Sequence, residues 1–228
     1  MRVAIVSDVH GNLPALEAAR ADIESQGVDE VWCGGDIAFG GPWARECIAA
    51  VRGAGWPTVK GNTDVWITGD LQGGIRGGQR RPLAAVAEAH SVSDDDASWL
   101  LNLPIGHSGP GSTLLVHGTP DSPFEGPLPD DPGSAFEGYE GRAQLVVYGH
   151  VHRAFVRRLK DGTIVANAGS VGLPFDGDTG SYLLVDLEGP DLLLRIRRFT
   201  FDRDRAVAEA RRVGGPIEGF FLAMSDQR

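Results

Sequence analysis

Residues able to hold metal ions and activate water recur at five places along the chain: Asp8 with His10, Asp36 after Gly35, Asn62 through Asp64 after Gly61, His117, and His150 with His152. Four of the six histidines fall inside these motifs. Carboxylate and amide oxygens beside imidazole nitrogens suit a pair of divalent cations, which can turn a water molecule into a nucleophile near neutral pH. Asp8 and His10 are one residue apart, as are His150 and His152. In locally extended backbone, period two puts both members of such a pair on one face, where they can share an ion. The glycines before Asp36, Asn62 and His150 are expected to take the positive φ that re-aims a side chain over a sheet edge. His90 and His107 lie outside the motifs and are expected to be ordinary packed histidines.

Four motifs follow short apolar runs and the fifth, at His117, ends one, so the ligands are expected at strand ends, where an α/β protein converges distant positions. The first third alternates: a strand over Arg2–Ser7, a helix from about Pro14 to Gln26, a strand at Glu30–Cys33, a helix at Trp43–Gly53 and a strand at Pro57–Lys60. This order predicts a parallel sheet with right-handed crossovers. Gly69 to Arg81 is glycine-rich and fits no packed element. It lacks the context of a phosphate-cradling loop and reads as a surface loop, or as a lid carrying Arg76, Arg80 and Arg81 towards an anion. Helices are expected at Pro82–His90, Asp94–Leu103 and Asp202–Val213. Strands are expected at Thr113–His117, Leu145–Tyr148, Ala154–Leu159, Thr163–Asn167, Ser181–Leu187 and Leu192–Arg198. Turns at Lys160-Asp161-Gly162 and Glu188-Gly189-Pro190 suggest antiparallel hairpins. Five prolines between Pro120 and Pro132 mark a long loop directly after His117 that would wall the site. The apolar tail Ile217–Met224 either packs on the body or makes a homo-oligomeric contact.

The 228 residues fit one domain with a helical or lid insertion at 69–104 and a proline-rich loop at 119–133. The expected fold class is α/β, a four-layer α/β/β/α sandwich of two mixed sheets flanked by helices. Hydrophobic residues make up 42% and charged residues 23%. With 21 basic against 31 acidic residues the net charge is −10, which disfavours tight nonspecific binding to nucleic acid but not a small phosphate ester at a cation-filled site. No stretch approaches the ~20 apolar residues of a membrane span. Cys33 and Cys47 read as buried free thiols, and a cytoplasmic location is expected.

The ordered set of motifs resembles the calcineurin-like metallophosphoesterase superfamily, in its small prokaryotic phosphodiesterase branch. The resemblance runs from Asp8 to His152. It implies a first metal held by Asp8, His10, Asp36 and His152, and a second by Asp36, Asn62, His117 and His150, with Asp36 bridging. It further implies hydrolysis of phosphate esters by a metal-bridging hydroxide. The donor set favours Mn²⁺, Fe, Co²⁺, Ni²⁺ or Zn²⁺ over Mg²⁺ or Ca²⁺, without choosing among them, and Mn²⁺ is the expected ion. Asn167 to Gly172 resembles a turn segment of the same branch, with Ala168 in place of proline, and is expected to shape the backbone beneath the late metal loop. Thr63 departs from the pattern, since most of the superfamily has a histidine there that assists the leaving group. General acid assistance is worth about 10²–10⁴-fold. Without it, diesters should be better substrates than monoesters, with 2′,3′-cyclic nucleotides as candidates. Asp64 is then expected to keep a structural task. Arg76, Arg80, Arg81 and Arg153 are the candidate substrate-binding cations. The alternatives are a phosphoprotein phosphatase, a dinucleoside-polyphosphate hydrolase, or a non-catalytic scaffold of the same fold such as the retromer subunit of this superfamily.

Overall fold

The computed structural model describes residues 1–75, 77–187 and 192–227. Its strands are β1 (Arg2–Val6), β2 (Glu30–Cys33), β3 (Gly106–Gly109), β4 (Thr113–Val116), β5 (Leu145–Tyr148), β6 (Phe155–Arg158), β7 (Ile164–Asn167), β8 (Gly180–Asp186) and β9 (Leu193–Phe199). Its helices are α1 (Leu13–Glu24), α2 (Ala44–Ala54), α3 (Asn62–Trp66), α4 (Arg80–His90), α5 (Asp94–Leu101), α6 (Arg203–Val213) and α7 (Gly215–Ser225). Short 3₁₀ turns cover Gly77–Gln79 and Gly133–Tyr139.

The strands form two mixed sheets, ordered β2-β1-β8-β9 and β3-β4-β5-β7-β6. Their central strands are apolar on both faces, which is why they read as unbroken runs. Val3 and Ile5 of β1, Leu145 and Val147 of β5, Ala166 of β7 and Leu183 of β8 meet in one core cluster between the sheets. The alternate residues face outward. Ala4 and Val6 join Leu16, Ala19, Ile48 and Val51 under α1 and α2. On the second sheet Val146, Tyr148 and Val165 are covered by Phe136 and Tyr139. Two mixed sheets flanked by helices are as expected. The outer layer on the second sheet is a 3₁₀ segment with the proline-rich loop.

Pairing departs from the expected division into an early parallel and a late antiparallel half. β1 pairs parallel with β2 but antiparallel with β8, and β4, β5 and β7 run parallel. The connection from β4 to β5 is long enough for a crossover, so a parallel pair is accessible there. Pro57–Lys60 is no strand: it makes a single bridge, Cys33 to Thr58. Pro57 has no N–H to give, and Lys60 N–H turns away to Pro104 O. The hairpin at Lys160-Asp161-Gly162 is present between β6 and β7. The turn expected at Glu188-Gly189-Pro190 lies outside the described residues, though β8 and β9 do pair antiparallel. α4 starts at Arg80, before Pro82, which the first helical turn tolerates. The tail forms α7 and packs back on the body: Ile217 and Phe221 are buried, and Phe220 reaches Phe39. Among the described residues no helix is long and apolar enough to cross a membrane.

Candidate metal centre

The C-terminal ends of β1, β2, β4 and β5 open onto the same region, and their loops carry the motifs. The β1 and β2 loops run side by side: Asp8 N–H donates to Gly35 O, His10 N–H to Asp36 O and Gly11 N–H to Ile37 O, at 2.9–3.0 Å. The β5 loop joins them through His150 N–H, 3.1 Å from the Asp8 carboxylate, and through Gly149 N–H to His117 O. Beneath, the segment from Asn167 to Gly172 ties both together. The Asn167 amide donates to Gly149 O, Ser170 Oγ donates to Asp8 O, and Gly172 N–H donates to the same oxygen.

Positive φ falls on the ligands themselves rather than mainly on the glycines before them. Asp8, His10, Asp36, His150 and His152 lie at φ 50–66°, and among the described residues only Ser91 and Ser112 are other non-glycine examples. Each such residue costs about 1–3 kcal/mol, so the surrounding hydrogen bonds must hold the ligands in place. Gly35 is at φ +90°, whereas Gly61 is at −90°. Gly61 and Gly149 serve close approach instead, because a Cβ on either would overlap the Asp36 or Asp8 carboxylate.

The side chains form two adjoining groups. Asp8, His10, Asp36 and His152 bring one ligand atom each within 4.8 Å of one another, and all four are buried. Beside them Asn62 Oδ1 lies 3.0 Å from His117 Nε2 and 2.8 Å from His150 Nδ1, with Asp36 Oδ2 at 3.4 Å from His117 Nε2. Asp36 thus touches both groups. Three imidazoles are oriented from behind: Nδ1 of His10, His117 and His152 lies 2.9, 2.7 and 2.6 Å from the carbonyls of Phe39, Gly34 and Leu173. A carbonyl only accepts, so each Nδ1 carries the proton and each Nε2 aims a lone pair inward. Yet His10 Nε2 and His152 Nε2 are 3.1 Å apart, and His117 Nε2 faces an amide oxygen. Lone pairs at that distance repel unless a cation or a proton lies between them.

The electrostatics of the site point the same way. Burial opposes charge on His117, but Asp36 and Asp8 outweigh it and push the imidazole up to about 10. Burial would likewise raise Asp36, yet His117, His10 and His150 hold it well below the usual carboxylate range. Burial drives His150 down to about 4, aided by the charge of His117. Positive charge is favoured on His117, and the Asp8 carboxylate shifts His152 upward against its burial, at the places where cations would stand. These residues therefore fit divalent metal ions.

Asp64 is fully buried and accepts from the backbone N–H groups of Asp36, Ile37 and Gly61, each at 2.9 Å. It buckles the Asp36 loop to the start of α3. Burial and the Asp36 charge push it up to about 6. Thr63 N–H donates to Asp36 Oδ1 at 2.8 Å, while its buried hydroxyl has no partner.

The arginines are less concentrated. Arg80 donates to Leu71 O and so fastens the glycine-rich segment, and Arg81 stands exposed on α4. Arg153 is half-buried directly after His152, and Arg76 lies outside the described residues. The proline-rich loop does wall the site. Gly126 passes so close to His150 that a Cβ would sit 3.3 Å from its Cδ2. His90 and His107 are packed residues: His90 accepts from Gly40 N–H, burial lowers it to about 4, and His107 meets the Trp32 ring edge. One neighbour has no sequence signature: the Phe175 ring stacks on His152, centroids 4.3 Å apart.

Comparison with known proteins agrees with this geometry. An uncharacterized protein of Methanocaldococcus jannaschii is 29% identical over 226 residues, covering 90% of this chain and 89% of that one. The crystal structure of a metallophosphoesterase from Sphaerobacter thermophilus superposes with a TM-score of 0.80 at 27% identity, over 100% of this chain and 99% of the other. A hypothetical protein from Pyrococcus horikoshii has the same fold, with a TM-score of 0.80 at 21% identity, over 96% and 97% of the two chains. The model of the calcineurin-like phosphoesterase superfamily domain matches residues 1–189, and with ligand groups, fold and family model in agreement the chain belongs to that superfamily.

Proposed function

We propose that the protein is a two-metal phosphodiesterase acting on small substrates, with Mn²⁺ as the preferred ion and 2′,3′-cyclic nucleotides as first candidates. The observation that carries this reading is the pair of adjoining ligand groups sharing Asp36, with ring nitrogens turned inward that need a cation or a proton between them. When bound, two divalent ions supply Lewis acidity towards phosphate oxygens and a water of lowered pKa. The chain supplies the rest. Asp36 sets the spacing of the two groups. Asp64 holds the Asp36 and Asn62 backbones in register. Carbonyls behind three imidazoles prevent those rings from turning.

Thr63 sets the preference among esters. Its hydroxyl is buried beside Asn62 without a partner, a state costing about 1–3 kcal/mol, which a phosphate oxygen would relieve. A hydroxyl can donate to that oxygen but cannot carry positive charge or protonate a leaving group near neutral pH. Monoester dianions lose most from this, and diesters least. Arg153 is the cation best placed to help. Arg80, engaged on Leu71, makes a polyphosphate or phosphopeptide substrate the weaker reading. Free buried Cys33 and Cys47 suit a reducing cytoplasm. A homo-oligomeric contact through the tail would use the half-buried Phe220, Leu222 and Met224 of α7, since Ile217 and Phe221 are buried within the chain.

The test is hydrolysis of 4-nitrophenyl phosphate and bis(4-nitrophenyl) phosphate in Mn²⁺, by wild type and Asp36→Asn together. Faster diester turnover that disappears in the variant is expected. Faster monoester turnover contradicts the diesterase reading, and turnover surviving in Asp36→Asn contradicts the two-metal one.

A further inference from the structure

Of nine phenylalanines, seven pack into the hydrophobic clusters of the core. Phe124 and Phe175 belong to none of them, and both are half-buried. Phe124 stands on the proline-rich loop that follows His117, and Phe175 stands between the Asn167–Gly172 segment and β8, with its ring on His152. The Phe175 ring touches the first ligand group through His152, and the loop that carries Phe124 reaches the second through Gly126, which passes against His150.

Phe175 is held in place. Its N–H donates to His152 O at 3.0 Å, and its ring lies on the His152 imidazole with 25° between the planes. The next residue, Asp176, accepts from Ala154 N–H and pairs with both terminal nitrogens of Arg198. Phe124 is held from the other side. Its ring lies against Gly73, where any Cβ would collide with it, and Gly74 separates it from Trp66. Tyr148 Oη donates to Pro127 O and Tyr139 Oη to Gly118 O, which fixes the loop that carries it. Both are fixed, partly exposed rings on segments that border the ligand groups, and such rings offer flat apolar surface to a planar group.

Resting on the phosphodiesterase reading, we infer that Phe124 and Phe175 are specificity residues that stack the planar organic groups of the substrate, so that the preferred ester carries a nucleobase or aryl group. A phosphoryl group held between the two ligand groups would be bordered by His152, on which Phe175 stacks, and by His150, against which the loop of Phe124 passes at Gly126. Stacking on one aromatic side chain is worth about tenfold in affinity or more.

The test compares esters that differ only in the retained group. Wild type, Phe175→Leu, Phe175→Tyr and Phe124→Leu are assayed on bis(4-nitrophenyl) phosphate and methyl 4-nitrophenyl phosphate, with metal content measured for each. The expected result is a fall of about tenfold in the bis-aryl to methyl ratio of kcat/KM for Phe175→Leu. A smaller fall is expected for Phe124→Leu, and recovery of the ratio in Phe175→Tyr. An equal loss on both esters, or a loss that follows metal content, overturns the inference. Binding of phenylphosphonate and methylphosphonate, which cannot be hydrolysed, is measured by calorimetry alongside. If wild type turns over neither diester, the hydrolytic reading fails, and the phosphonates still decide this one. A phenyl preference lost in Phe175→Leu supports it, and equal affinities overturn it.

Discussion

The two ligand groups share Asp36 but are built differently. Asp8, His10, Asp36 and His152 are all buried, two of the four are carboxylates, and both imidazoles are pinned through Nδ1 to a carbonyl. In the second group a neutral amide, Asn62, replaces one carboxylate. His150 is only half-buried there and turns Nδ1 rather than Nε2 towards its neighbour. The first group is preorganised with more negative charge, and the second is more open. On the two-metal proposal the first group would hold its ion tightly, and the second would hold one more weakly and nearer the substrate. Charge count and rigidity are the levers that set such differences in affinity.

The largest test of this comparison is Asp36→Asn, which removes the carboxylate common to both. Turnover should fall by on the order of 10³-fold or more, as expected for losing several kcal/mol of metal-borne stabilisation, while the melting temperature changes little. Next come the members of each group. His152→Ala should weaken the tight ion by about 100-fold, whereas His150→Ala should weaken the other by about tenfold, and His117→Ala should empty the second site preferentially. Calorimetric titration with Mn²⁺ distinguishes these, and a reversed order breaks the comparison.

The dependence on pH sharpens it. In the metal-free protein His117 is charged up to about pH 10, so the second ion must displace its proton. Affinity for that ion should rise about tenfold per pH unit between 7 and 9, with one proton released. The same shift carries a stability consequence of defined sign. A folded-state value raised above that of free histidine stabilises the metal-free protein fully below about pH 6.5, and this is lost as pH climbs through about 10. Thermal melts of chelated protein at pH 6.5 and 10 would show it. The smallest effects belong to residue 63. Thr63→Val should lower diester kcat/KM by about fivefold, the worth of one hydrogen bond. Thr63→His should raise monoester relative to diester turnover.

Most of the candidate ligand residues were legible because they follow apolar strands, and such strands announce their ends; Asn62 instead follows Pro57–Lys60, an apolar run that makes one bridge and no strand. β2 and β5 lie at the expected bounds for the same reason. What was hidden depends on partners distant in sequence. Lys60 abandons the β2 edge for Pro104, so Pro57–Lys60 looks like a strand and is not. The left-handed backbone at Asp8, His10, Asp36, His150 and His152 is imposed by bonds between loops, and residue types alone place such angles on glycine. β3, with its sequence Gly-His-Ser-Gly, has no strand signature and exists only because β4 pairs with it. Phe175 was invisible because what distinguishes it is the ring it touches.

The most direct measurement is anomalous scattering from crystals grown with Mn²⁺, recorded at the manganese edge. Two adjacent peaks are expected, one enclosed by Asp8, His10, Asp36 and His152, the other by Asp36, Asn62, His117 and His150. A single peak, or manganese bound away from Asp36, would contradict the two-metal account.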